Sequence, residues 1–148
     1  MNYQGVEILF VEDNMDDATL TMRALKKGGL TNKLHHVKDG AEALDFIYGR
    51  GEYSERDILK NPKLILLDLK MPKVSGIEVL LSIKSSPSTR NIPVVILTSS
   101  KEDPDIATCY SLGANSYIVK PVESENFFMA IKELGLYWMI LNESNTHV

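Results

Sequence analysis

Four apolar runs in the chain close on residues able to do chemistry: "ILFVED" on Glu12 and Asp13, "LILLD" on Asp68, "VVILTS" on Thr98 and Ser99, and "SYIVK" on Lys120. A carboxylate directly behind buried apolar residues is unfavourable unless a partner neutralises it. Gathered in one place, Glu12, Asp13 and Asp68 would repel, since two like charges about 4 Å apart cost about 4 kcal/mol at an effective dielectric of about 20. Either their pKa values rise or a cation sits among them. Oxygen donors and few protein carboxylates suit Mg²⁺, which keeps several waters and leaves room for a phosphoryl oxygen. A carboxylate beside such an ion is equipped for aspartyl-phosphate chemistry, with Asp68 as nucleophile and the cation shielding it from the incoming anion. Taken singly, each residue has a plainer reading: an acid after a strand is a common helix N-cap, Thr98 a loop hydroxyl, and Lys120 a solvated charge. What favours chemistry is that all four strand ends carry the required residue type in the required order.

The elements that would position them alternate along the chain. "VEILFV" (Val6–Val11), "KLILLDL" and "PVVILT" (Pro93–Thr98) read as fully buried strands, "KLHHV" as a weaker one and "SYIVKP" as the last. Between them lie helical spacings. Asn14 is an N-cap with Asp17 as its partner, followed by Ala18, Met22 and Leu25 and stopped at Gly28-Gly29. Ala41, Leu44 and Ile47 mark the inner face of a second helix; Ile77, Leu80, Leu81 and Lys84 mark a third. "DPDIATCYSLGA" is a short fourth helix, with Pro104 near its start and Gly113 at its end. Phe127, Ile131, Leu134, Trp138 and Leu141 recur at spacings that predict a long final helix. Tyr48–Pro62, charged and aperiodic with two glycines, reads as a long surface loop.

Five repeats of strand then helix with continuously apolar strands imply a parallel sheet covered on both faces. The expected fold is a flavodoxin-like, doubly wound α/β domain with strand order 2-1-3-4-5, which puts strands one, three and four side by side. Their polar C-terminal ends then share the rim where open parallel sheets bind ligands. The expectation is one domain over 1–148, with a core over about 5–135 and the extended helix and polar tail over 136–148.

Composition removes other classes. The net charge of −4 argues against nucleic acid as a direct partner. Cys109 stands alone, which excludes an intrachain disulfide and reads as a small buried residue. The N-terminus lacks a basic stretch ahead of an apolar one, so no signal peptide is read, and no uncharged apolar run suits a membrane span. A cytoplasmic location is the expectation. His35 and His36 are adjacent on the weak second strand, point to opposite faces and cannot form a simple shared metal site.

Together "ILFVEDN", "LLDLKMPKVSG", "VVILTSS" and "SYIVKP" resemble the receiver domains of two-component response regulators, over nearly the whole chain. The resemblance implies that Asp68 accepts a phosphoryl group from a histidine kinase. It implies that Asp13 and Asp68 ligate Mg²⁺ directly, with Glu12 acting through water and the Lys70 backbone carbonyl as a further ligand. Thr98 corresponds to the switch hydroxyl, Tyr117 to the coupled aromatic, and Lys120 to the cation that pairs with the phosphoryl oxygens. The Lys120–Pro121 bond is expected to be cis. Two positions depart from the commonest pattern: Glu12 stands for aspartate, and Lys70 places a cation beside the phosphorylation site, where the family varies phosphoryl lifetime. The long loop and the "LYWM" helix are similar to the stand-alone regulators that pair with bacterial phytochrome kinases.

With no second domain read after the last helix, output is expected through protein contacts at the fourth helix, fifth strand and fifth helix. Ile106, Tyr110 and Trp138 are candidates for a homodimer contact there, although packing onto the sheet is the favoured reading of the Trp138 stripe. A haloacid-dehalogenase-like phosphatase would need an acid where Lys70 stands. A flavodoxin-like electron carrier would need a hydroxyl- and glycine-rich loop where "EDNMDD" stands. The remaining rival is a receiver that only docks and takes no phosphate.

Overall fold

The computed structural model describes residues 6–28, 34–71 and 73–135. Five strands are present: β1 (Ile8–Val11), β2 (Leu34–Val37), β3 (Leu64–Asp68), β4 (Val94–Thr98) and β5 (Ser116–Val119). They alternate with α1 (Met15–Lys27), α2 (Gly40–Tyr48), α3 (Gly76–Ser85), α4 (Asp105–Ser111) and α5 (Ser124–Glu133). All the strand pairs are parallel and the order is β2-β1-β3-β4-β5, the flavodoxin-like arrangement expected from the sequence.

β1, β3 and β4 are buried at every residue, because helices cover both faces of the sheet. Alternation then sorts each strand. Leu9, Val11, Ile65, Leu67, Val94 and Ile96 face a core shared with α2, α3 and α4. Ile8, Phe10, Leu64, Leu66, Val95 and Leu97 face a second core with α1 and α5. The period of two continues past the strand ends and decides which way the polar residues lean.

The helix starts follow local chemistry. Asn14 Oδ1 accepts the Asp17 N–H at 2.9 Å at the start of α1. Asp39 and Ser75 cap α2 and α3 in the same way through the Glu42 and Glu78 N–H groups. Asp16 and Asp17 in the first turn of α1 and Lys26 and Lys27 in its last oppose the helix dipole. α4 begins just after Pro104 and is followed by Gly113 at φ 106.

Several expectations change. The fully inward residues of α2 are Ala43, Phe46 and Ile47; Ala41 and Leu44 are only half-buried on its flanks. In α3 they are Val79, Leu80 and Ile83, while Leu81 is 50% exposed. In both helices the apolar residues cover a wider arc than the sheet contacts, so spacing alone placed the inner face slightly off. Tyr48–Pro62 is not simply a surface loop. Tyr48 ends α2, Gly49 follows it in the left-handed conformation, and Gly51–Tyr53 forms a 3₁₀ turn. Tyr53 and Arg56 are buried. The Arg56 guanidinium donates to the carbonyls of Phe46, Ile47, Asp57 and Lys60 and stacks on the Phe46 ring. α5 carries Phe127 and Ile131 inward and ends at Glu133, with Gly135 at φ 73. Trp138 and Leu141 lie outside the described residues, as does the tail.

Candidate functional site

Glu12 follows the last residue of β1, and Asp68 closes β3. Their registers make them neighbours, since Val11 pairs with Leu67 just before them. By alternation Glu12, Asp68 and Lys120 lean toward the α1 and α5 side of the sheet, whereas Thr98 and Tyr117 lean toward α4. The chemistry is thereby divided in two: charges on one side of the rim, the hydroxyl and the aromatic on the other.

The charged half is tightly built. Carboxylate oxygens of Glu12, Asp13 and Asp68 lie within 4.8 Å of one another. Lys120 Nζ is 2.8 Å from Glu12 Oε1, 3.2 Å from Asp17 Oδ2 and 3.3 Å from Asp68 Oδ1. Glu12 is fully buried and Asp68 is 5% exposed. The Lys120 backbone is fixed by its N–H donating to the Thr98 carbonyl at 2.8 Å, and the Lys120–Pro121 peptide is cis, as expected. The Glu12 carbonyl accepts from His36 Nε2 at 2.8 Å, while His35 turns to the opposite face and stacks on Phe46. A glycine is required at position 76: a Cβ there would press on the Asp68 carbonyl and lie 2.6 Å from Leu69 Cα.

Electrostatics follow from this crowding. Burial, then Glu12, push the Asp68 carboxyl from 3.8 up to about 7, against the pull of Lys120. For Lys120 burial works to lower the pKa, but Glu12 and Asp68 outweigh it and hold the ammonium above its ordinary range. Of the three carboxylates, Glu12 and Asp68 share the Lys120 ammonium, and the buried Glu12 Oε1 has no aligned hydrogen-bond donor despite its short ion pair. An oxygen-only, net-negative cluster in which burial and Glu12 raise the pKa of one carboxyl suits a hard divalent cation.

The uncharged half is held by the β4–α4 loop. Thr98 Oγ1 donates toward the Ser100 carbonyl at 3.1 Å and Asp103 Oδ2 at 3.3 Å. Tyr117 is half-buried against the α2–α4 core, with its ring edge-on to Tyr110 at 6.4 Å. A cleft of about 210 Å³ is lined by Glu12, Asp13, Asp68, Lys70, Thr98 and Lys120 among others, so the fold brings these six expected residues to one opening. Tyr117 is not among its lining residues. Asp17 and Asp103 also line it. Sequence reasoning gave Asp17 only a capping role and Asp103 none, because neither ends a strand.

The comparisons agree with this geometry. The response regulator receiver domain family matches residues 8–132. The structure of the bacteriophytochrome response regulator AtBRR superposes with a TM-score of 0.82 and 50% identity, covering 88% of this chain and 93% of that one. "Probable methanogenesis regulatory protein FilR2" of Methanothrix harundinacea is 42% identical over 93% of this chain and 86% of its own. Response regulator Rcp1 of Synechocystis is 36% identical over 89% and 88%. Its Mn²⁺-bound structure matches with a TM-score of 0.71 and 36% identity, covering 90% and 94%. An acidic rim at the strand ends of a 2-1-3-4-5 sheet, with its lysine and hydroxyl in place and relatives alike over almost their full length, means that the chain belongs to the response regulator receiver domain family.

Proposed function

We propose that Asp68 receives a phosphoryl group from the phosphohistidine of a sensor kinase and that a partner protein reads the result. The observation that carries this is a nearly buried carboxylate at an open cleft, 3.3 Å from a lysine and clustered with two further carboxylates. An Asp68 oxygen attacks phosphorus, the O–P bond forms as the N–P bond breaks, and the kinase imidazole leaves with a proton. Lys120, already held above the cluster, pairs with a phosphoryl oxygen. Thr98 turns its hydroxyl from the β4–α4 loop to another. Asp13, Asp68 and the Lys70 carbonyl would hold Mg²⁺ directly, and Glu12 through water. Bound there, the ion would neutralise charge on the carboxylates and the transferring group. The Mn²⁺-bound structure of Rcp1 supports a divalent ion in such a site.

Similarity to bacteriophytochrome response regulators supports a phytochrome-type histidine kinase as the donor. The output surface is the face of α4, β5 and α5, with Tyr117 as the aromatic that turns inward once Thr98 moves. Tyr110 and Met129, 45% and 62% exposed, lie on α4 and α5 and would centre a homodimer contact there. Among the described residues no helix is long and apolar enough to cross a membrane; the cytoplasmic location goes with the reading of a sensor kinase as phosphoryl donor. Incubation with acetyl phosphate and Mg²⁺, followed by intact mass, tests the core of the reading. A gain of one phosphoryl group, abolished by Asp68→Asn, is expected; no gain would leave a docking module.

A further inference from the structure

Asp103 sits between β4 and α4, its side chain 7% exposed. Its two carboxylate oxygens face different elements. Oδ2 accepts from the Thr98 hydroxyl at 3.3 Å and lies 3.8 Å from Lys70 Nζ, so one oxygen joins the end of β4 to the loop after β3. Oδ1 accepts the Asp105 N–H at 2.9 Å, and the Asp103 carbonyl accepts the Ile106 N–H at 3.1 Å. The same residue therefore organises the start of α4. We propose that Asp103 is a positioning residue of the switch, whose carboxylate holds the Thr98 hydroxyl in its resting orientation and couples that hydroxyl to the first turn of α4.

The inference rests on the phosphoacceptor reading of Asp68 and extends it. Thr98 has one hydroxyl proton, for which Asp103 Oδ2 and the Ser100 carbonyl already compete. A doubly charged phosphoryl group is a stronger acceptor than either. When the hydroxyl turns to it, Asp103 loses that donor. Lys70 Nζ is drawn toward the same new charge, so the carboxylate is left poorly paired in a nearly buried place. Movement of the loop and of the first turn of α4 relieves this. The resting latch and the phosphoryl group thus exclude one another through a single proton.

Binding of beryllium fluoride with Mg²⁺, a tetrahedral stand-in for the phosphoryl group, tests the competition. Asp103→Ala should bind it about fivefold more tightly than the unaltered chain, the scale of one competing hydrogen bond. In a Thr98→Val background the gain should shrink to the small effect of removing one negative charge and freeing exposed Lys70, a dependence on Thr98 that a merely structural role for Asp103 would not produce. Asp103→Asn, whose amide oxygen can still accept from Asp105, guards against misfolding; it should tighten binding about twofold with the same dependence on Thr98. Equal tightening in both backgrounds, or none in either, overturns the latch alone. An unaltered chain that neither binds beryllium fluoride nor takes phosphate from acetyl phosphate overturns the phosphoacceptor reading with it.

Discussion

Asp68 binds its proton unusually well, because burial and Glu12 lift its pKa from 3.8 to about 7. A cation entering the cluster must displace that proton below about pH 7, so Mg²⁺ affinity should rise between about pH 6 and about pH 8. Titration calorimetry across that range measures it, and Asp68→Asn should flatten the profile; an affinity that is already flat would remove Asp68 from the ligands. Without metal the same linkage has a definite sign. The folded pKa of Asp68 lies above the unfolded one, so this group's contribution to stability is fully present below about 3.8 and is lost as pH rises through about 7. Lys120 is the counterweight. Lys120→Met leaves buried Glu12 and Asp68 without their cation and should lower urea-unfolding stability by about 2–4 kcal/mol, discounted for partial exposure, with Mg²⁺ restoring part of the loss. A variant as stable as the parent would show that the pair is not close in solution. Glu12, Asp68, Thr98 and Lys120 could be recognised from sequence because each stands at the end of an apolar run. Asp103 could not, since its place is set by how the β4–α4 loop turns back.

At the scale of elements, continuously apolar runs revealed the strands, and the order of strands and helices revealed the sheet. The 48–62 segment was harder for a physical reason. Its buried residues are polar or amphipathic and are satisfied by single partners on β2, on α2 and within the segment itself, so no periodicity marks them. Tyr53 donates to Glu42 at 2.6 Å, so its oxygen accepts from His35 Nε2 at 2.9 Å, a bond that places a proton on that nitrogen. Arg56 supplies donors to carbonyls at the end of α2, where the helix itself has none to offer. Arg56→Met keeps an apolar stem near Phe46 but takes away the side-chain donors to four carbonyls, of which that of Asp57 keeps the Lys60 N–H. It should lower stability by about 2–3 kcal/mol in urea unfolding while leaving the extent of Asp68 phosphorylation unchanged. A loss below about 0.5 kcal/mol would mean that water reaches those carbonyls.

For the whole molecule, the decisive asymmetry is between the two ends of the sheet. On the β2 side, α2 is tied down by Phe46, Ile47 and the Arg56 latch. On the β5 side, α4 has seven residues, buries only Cys109 and has Pro104 at its N-cap, so the Asp103 carboxylate just outside the helix supplies the capping contact. A segment so lightly held belongs to the low end of local stability, where a modest signal can redistribute conformations. A hydrogen bond from Thr98 to a charged phosphoryl group is worth about 1.5–3 kcal/mol, which corresponds to a population shift of about 10- to 150-fold. That is enough to move α4 but small beside the packing of the central strands. Hydrogen exchange with and without beryllium fluoride should therefore change in Asp105–Ser111, Ser116–Val119 and the start of α5, with α2 and the 48–62 segment unaffected. In Thr98→Ala the ligand should still bind through Asp68 and Lys120, yet the distal change should disappear. The same distal change in Thr98→Ala would mean that the signal leaves the site by a route that does not pass through the hydroxyl.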